Sequence, residues 1–465
     1  MSFFSSISLE QQEQLVSFIT ETLDQQISDL QSLIRIPSVK DAPEGNLPFG
    51  KPIQLALDAT LKLAASLGFP GGQDLDGYAG FIETGAGEEM LGILAHLDVV
   101  PAGDGWSTEP FGGEIRDGRI YGRGAIDDKG PTVSAFYALA AIQAAKIPLK
   151  KRVRVILGCD EESGWACMDH YKKVEELPTI AFSPDGEYPL VYSEKAIMQA
   201  TFTKKLAHRT QLRISAGERP NVVPGIAEAI VPASCNVPGV KADDGFSFAT
   251  ANAENGTKLI VTGLGAHAST PESGRNALLY LLKLLHAMDL PQEDAALIRL
   301  FVDQFRMDVH GETIGLDTTD DSGRLTFNVG VLKWNEQEVS ITFDARCPHS
   351  LPTEQVLDRL NAILAPAGFE VTFTRIQHGL LVPKESELVQ KLMGVYRAQT
   401  GDTAREPLAI GGGTYARAMN NAVAFGCEWP GDPMVAHMPD EYISIDDLRR
   451  NTLMMADAIL ALAAE

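Results

Sequence analysis

The chain has 465 residues, 45% of them hydrophobic and 22% charged, and a formal net charge of −23. That length predicts two domains, or one domain with a large insertion, and the negative charge argues against phosphate backbones and anionic membrane surfaces as partners. No apolar run of about 18 residues predicts a membrane span, and Met1–Gln14 lacks the basic-then-apolar order of a secretory signal.

Residues 8–35 carry Glu, Gln, Leu and Ile at helical spacing and predict one amphipathic helix, ending before Ile36-Pro37-Ser38. A Pro/Gly loop over 41–52 precedes a helix over 53–67, with Gly68 at its C′ position. Tyr78–Glu83 and Leu91–Ala95 read as strands. The second ends in His96-Leu97-Asp98. Strand positions i and i+2 share a face, so this imidazole and this carboxylate are expected side by side. A Pro/Gly/Asp-rich stretch leads to the glycine-flanked turn Tyr121–Gly130, which carries Asp127 and Asp128. Ala-rich Thr132–Ala145 predicts a helix and Arg152–Leu157 a strand, an order that argues for a parallel α/β sheet.

That strand runs into Asp160-Glu161-Glu162, and the next, from Ile180, runs into Asp185. Open α/β sheets collect their active sites at such carboxyl ends. The texture changes near residue 190. Strand-like segments at Ala196–Phe202, Gln211–Ser215, Lys258–Gly263, Val339–Ala345 and Glu370–Thr374 alternate with helical ones at 276–288 and 353–365, which predicts an inserted α+β domain. The expected division is a catalytic domain over 1–188 and 384–465, interrupted by a lid domain over 189–383. After a helix at 385–400, Ile410–Arg417 reads as a glycine turn opening a helix, without the lysine of a phosphate loop. An amphipathic helix over 446–463 closes the chain, and no short-period repeat is present. The five cysteines are scattered without a CxxC pair, as reduced thiols of a cytoplasmic protein would be.

The polar strand ends collect His96, Asp98, Asp127, Glu161, Glu162, Asp185 and His437. Two histidines and several carboxylates suit a pair of Zn²⁺ or Mn²⁺ ions, and a carboxylate between two ions can bridge them. Such a centre lowers the pKa of water and polarises a carbonyl. If Glu161 and Glu162 continue the strand they face opposite ways, one toward metal and one left as a base.

Six segments in order, HLDVVPAGDGW, GRGAIDDKGP, DEESGW, SPDGEYP, GGGTYAR and HMPDEY, make the chain resemble the dinuclear metallopeptidases and amidohydrolases of clan MH over nearly its whole length, and most of all the PepV-type dipeptidases. The resemblance implies a parallel α/β catalytic domain with an inserted lid. It implies that Asp127 bridges two ions, that His96 and Asp185 hold one, and that Glu162 and His437 hold the other. Glu161 would be the general base. Asp98 would accept a hydrogen bond from the His96 ring and orient it. From the lid, His267 in GAHAS would stabilise an oxyanion, and Arg346 would pair with the substrate carboxylate. Asn221, in the loosely matching GERPNVVPG, and Gly412 and Thr414 are weaker candidates for substrate contact. The implied cofactors are two divalent ions, zinc with manganese or cobalt as alternatives. The implied activity is hydrolysis of a dipeptide or short peptide, and a monomer is compatible with it. An N-acyl amino acid amidohydrolase and a non-catalytic metal-binding relative are the competing readings.

The remaining polar residues carry plainer expectations. Asp128 is expected to be a solvated or capping acid, Lys129 one half of an ion pair, and Cys159 a packed thiol. His170, His208, His286, His310, His349 and His378 lack matching acidic contexts and are expected at the surface or in structural roles.

Overall fold

The structure is a computed structural model that describes residues 7–235, 237 and 242–464. Met1–Ser6, part of the segment expected to lack a secretory signal, lie outside them. Among the described residues no helix is long and apolar enough to cross a membrane. The chain forms two compact units. One comprises residues 1–192, 381–408 and 414–465; the other comprises 193–380 and 409–413.

The first unit is built on a mixed sheet. Counted from one edge, the first six of its nine strands are Gln73–Leu75, Ala79–Gly85, Arg152–Gly158, Met90–His96, Ile180–Ser183 and Ala422–Ala424. The last four of these run parallel to one another, while Gln73–Leu75 and Ala79–Gly85 pair antiparallel, the latter also with Arg152–Gly158. Parallel strands buried on both faces need continuous apolar runs, and Met90–His96 is buried at every position. The Lys129–Ala144 helix is buried on all sides through Ile142, consistent with its lack of an amphipathic stripe. The closing helix, Ile445–Ala463, is capped by the Ser444 hydroxyl, which accepts from the Asp447 N–H at 2.9 Å.

Residues 8–35 do not form one helix. Leu9–Glu21 and Leu23–Ile34 meet at Thr22, whose hydroxyl donates to the Phe18 carbonyl at 2.7 Å and whose backbone leaves the helical region. The glycine turn at 410–414 opens only a short 3₁₀ segment, Tyr415–Ala418.

The second unit is an eight-stranded, wholly antiparallel sheet. Its order is Ser247–Ala253, Gly256–Thr262, Ile226–Pro232, Arg213–Ala216, Thr326–Trp334, Glu338–Cys347, Ala196–Lys205 and Glu370–Gln377. The helices Ala277–His286, Gln292–Phe305 and Thr353–Leu364 contribute to the apolar core of this unit. Ile226–Pro232, Ser247–Ala253 and Thr326–Trp334 are strands beyond those expected from the sequence. In Thr326–Trp334 the register shifts between Val329 and Val331, a bulge at Gly330. A Cβ on Gly330 would lie 2.4 Å from the Pro220 carbonyl oxygen, so only glycine lets the Pro220–Asn221 segment approach.

Candidate active site

In the first unit the carboxyl ends of parallel strands open along one edge of the sheet. His96 is the last residue of its strand and is fully buried. Its Nδ1 lies 3.0 Å from the carbonyl oxygen of Asp98. A carbonyl can only accept, so the neutral ring carries its proton on Nδ1 and turns a lone pair outward at Nε2. That Nε2 is buried without a hydrogen-bond partner and faces Asp127 Oδ1 at 3.0 Å and Asp185 Oδ2 at 3.9 Å. On the other side of Asp127, Oδ2 lies 2.9 Å from His437 Nε2, which is also 3.0 Å from Glu162 Oε1.

Two acceptors at 3 Å require a cation between or upon them. The proton affinities express that demand. Burial opposes a charge on His437, but Asp127 and Glu162 outweigh it and push its pKa up to about 11. Burial likewise works against a charged His96, and Asp127 again prevails, raising its pKa. Burial would raise Asp127, yet His437 and His96 beside it hold it well below the ordinary carboxylate range. A divalent ion satisfies the same geometry: one atom each of His96, Asp127 and Glu162 lie within 4.8 Å of one another, a donor set of imidazole and carboxylate that suits zinc-class ions. The residues fit a metal centre.

Glu161 and Glu162 do not continue the strand. Arg152–Gly158 ends before them and they occupy a turn, so the alternation expected of them does not apply. Their backbone N–H groups both donate to Asp98, at 3.0 Å to Oδ1 and 3.0 Å to Oδ2. The Asp98 carboxylate therefore anchors this turn. It is 3.7 Å from the His96 ring, which takes the Asp98 carbonyl instead, so the expected hydrogen bond from ring to carboxylate is not made. Burial, reinforced by Asp185 and Glu162 against the opposing pull of His96, raises Glu161 well above the usual carboxylate range. Burial and Asp127 push Asp185 up to about 7.

Two neighbours depart from expectation. Asp128 is buried rather than solvated and makes no capping bond; its Oδ2 accepts from the His96 N–H at 3.0 Å. Lys129 is buried and donates to the carbonyl oxygens of Leu33 at 3.0 Å and Ile36 at 2.8 Å, and burial lowers its pKa to about 7. Cys159 is a buried thiol, as are the other four cysteines. Gly158 makes room for Tyr415: a Cβ there would lie 2.0 Å from the tyrosine oxygen, and the ring stands edge-on to His96. His170 stacks on Tyr78 and His349 pairs with Ser193 Oγ at 2.9 Å.

Sequence reasoning passed over Glu428, Arg123 and Glu441. Glu428 follows the fourth parallel strand, the same position that yielded the other acids. Burial, with repulsion from Asp185 and Glu187, pushes it up to about 8. Arg123 and Glu441 are fully buried and paired with each other.

In the second unit, His267 lies on a two-stranded ribbon, paired with Val222 next to Asn221. Its Nδ1 pairs with Ser269 Oγ at 2.6 Å. Asn328 Nδ2 fixes the ribbon by donating to the Pro220 and Val222 carbonyls at 2.9 and 3.0 Å. Arg346 is buried and meets Asp344 in a bidentate pair at 2.6 and 3.1 Å, with Nη1 3.3 Å from the Gly411 carbonyl. Gly412 is half-buried in the same unit, whereas Thr414, in the first unit, is buried and caps the 3₁₀ segment by accepting from the Ala416 N–H at 3.2 Å.

The sequence profile of the peptidase family M20/M25/M40 matches residues 92–461. A Bacillus subtilis (strain 168) protein named "Putative dipeptidase YtjP" is 39% identical over 455 residues, covering 94% of this chain and 97% of its own. A Staphylococcus aureus (strain MW2) protein with the same kind of name is 37% identical over 462 residues, covering 95% and 98%. Among solved structures, human carnosine dipeptidase 1 aligns with a TM-score of 0.57 at 17% identity, over 98% of this chain and 99% of its own. The dipeptidase Dug1p of Saccharomyces cerevisiae aligns with a TM-score of 0.59 at 16% identity, over 97% and 98%. Those two likenesses establish a shared fold, and the profile together with the full-length relatives establishes kinship: the chain belongs to the peptidase family M20/M25/M40 and is a hydrolase of peptide bonds.

Proposed function

We propose that the protein is a metal-dependent dipeptidase acting on short unmodified peptides, with His96, Asp127, Glu162, Asp185 and His437 holding two divalent ions. The observation that carries this reading is Asp127, whose two oxygens face histidines on opposite sides, at 3.0 and 2.9 Å. The full-length relatives named as dipeptidases support the substrate class. Two ions of the zinc class, with Mn²⁺ or Co²⁺ as alternatives, would supply Lewis acidity toward a water molecule and the scissile carbonyl.

The chain's own residues supply the proton transfers and the orientation. Glu161 has a proton affinity raised by burial above that of an ordinary carboxylate, the direction a general base needs. It takes the proton of the attacking water and delivers it to the leaving amine. Asp98 sets the direction of Glu161 and Glu162 by holding both of their N–H groups. In this reading His267 of the second unit stabilises the oxyanion, with Nε2 as the donor because Ser269 engages Nδ1. Arg346, held in plane by Asp344, anchors the substrate carboxylate. Asn221, Gly412 and Thr414 complete the substrate contacts in this reading. The buried reduced cysteines support a cytoplasmic location.

The test is a panel of dipeptides with N-acetylated and C-amidated analogues, assayed after metal is stripped and Zn²⁺, Mn²⁺ or Co²⁺ restored. Free dipeptides should be cleaved best and only with metal. Preference for the N-acetylated compounds would transfer the protein to the N-acyl hydrolases, and no metal-dependent hydrolysis would overturn the reading altogether.

A further inference from the structure

The two halves of the Asp127 centre come from opposite ends of the first unit's sequence, and one buried ion pair ties them together. Glu441 is fully buried. Its Oε1 accepts three backbone N–H groups, from Gly124 at 3.0 Å, Ile126 at 3.1 Å and Asp127 at 3.3 Å. The carboxylate thus shapes the turn that presents Asp127. Its Oε2 pairs with Arg123 Nη1 at 2.5 Å. The other arm of that guanidinium, Nη2, donates to the carbonyl oxygens of His437 and Ala102, each at 3.2 Å. His437 itself is held at φ 63°, a backbone conformation that a non-glycine residue keeps only when its surroundings enforce it. The plane of Arg123 also lies against Trp106, 5.3 Å from the ring centroid. One carboxylate therefore grips the backbone of Asp127, and its partner grips the backbone of His437.

We infer that the Arg123–Glu441 pair is the positioning device that sets His437 against Asp127 and so determines affinity for the ion on the His437 side. The inference rests on the two-ion reading above. An exposed ion pair would contribute little, and even a buried one is weak evidence for stability. The directed bonds to His437 and Asp127 are what give this pair a function. The guanidinium matters as a fork, because one arm must reach Glu441 while the other reaches the His437 carbonyl. A lysine can keep the charge and lose that second tie.

The experiment titrates metal-free protein with Zn²⁺ in competition with a chelator, and records the melting temperature of each metal-free sample. Arg123→Lys and Glu441→Gln should still bind the first ion within about threefold of wild type. The second should bind 10–100-fold more weakly, the usual scale for losing a group that orients a ligand. Both metal-free variants should remain folded by circular dichroism. Wild-type affinity at both sites would overturn the inference, and so would an equal loss at both sites accompanied by a lower melting temperature, since that pattern reports general loosening. If Arg123→Lys does not fold, Glu441→Gln decides alone; failure of both to fold assigns the pair to stability and refutes the positioning role. A wild-type protein that binds no divalent ion would instead overturn the two-ion reading itself.

Discussion

Replacing Asp98 by asparagine separates two roles that a sequence cannot tell apart. The carboxylate accepts one N–H from each of Glu161 and Glu162. Asparagine retains one acceptor oxygen and presents an amide donor to the second N–H. One charge-assisted hydrogen bond is lost, about 1.5–3 kcal/mol, and the orphaned N–H adds about 1–3 kcal/mol. Against this stands the carboxylate's own burial, which outweighs His96 and those two N–H bonds and leaves its pKa at about 6 instead of 3.8. The neutral amide does not carry that cost. The lost bond and the relieved burial oppose each other, so a folded variant is expected. The turn bearing Glu161 and Glu162 loosens, and kcat/KM should fall about 10–100-fold. The assay is dipeptide hydrolysis at saturating Zn²⁺, with a two-site Zn²⁺ titration and a melting curve. The ion on the Glu162 and His437 side should weaken while the one beside His96 is kept. Selective loss of the His96-side ion would refute this reasoning and restore the ring-orienting role for the carboxylate.

Glu161→Gln should bind two ions and lose activity by about 10²–10⁴-fold, whereas Glu162→Gln should release one ion and regain part of its activity in excess Zn²⁺; elemental analysis with turnover would show the assignment reversed if the two variants exchange behaviour. Adding Zn²⁺ to stripped wild-type protein should raise its melting temperature, because an ion at 100 times its Kd adds about 2.7 kcal/mol; no shift in calorimetry at that excess means no site. Arg346→Lys should raise KM for dipeptides with a free carboxylate more than for their amides, and it is preferred to Arg346→Ala, which would strand the buried Asp344 and destabilise by about 3–5 kcal/mol. An unchanged KM in Arg346→Lys places the carboxylate anchor elsewhere.

The parallel strands were legible because Leu91–Ala95 and Arg152–Leu157 are short apolar runs cut off by polar residues, and a parallel sheet gathers such ends on one edge. What the strand pattern could not carry was anything beyond the last strand residue. The i, i+2 rule placed Asp98 beside His96, but the strand ends at His96, and the Asp98 side chain turns to the Glu161–Glu162 backbone. The same limit undid the alternation argument for those two acids. Lys129 was expected in an ion pair, yet its partners are carbonyls 93 and 96 positions away. The Arg123–Glu441 pair spans 318 positions, and no local spacing marks it. Glu428 was within reach, since it follows a strand as Asp185 does; the glycine at 426 and the short Ala422–Ala424 strand hid that equivalence.

The long separation has a consequence in time. Asp127 and Glu441 are 314 positions apart in the chain, and a bacterial-to-eukaryotic range of 5–20 residues per second puts about 15–60 s between their synthesis. For that interval the turn of Asp127 exists without the carboxylate that grips its backbone, and His96 exists without the counterpart histidine across Asp127. The nascent protein passes through a stage that can own one imidazole and not the other. Its maturation is ordered by the ribosome: the His96 half is made first, and the Glu441 carboxylate that grips the Asp127 backbone follows 314 positions after that turn.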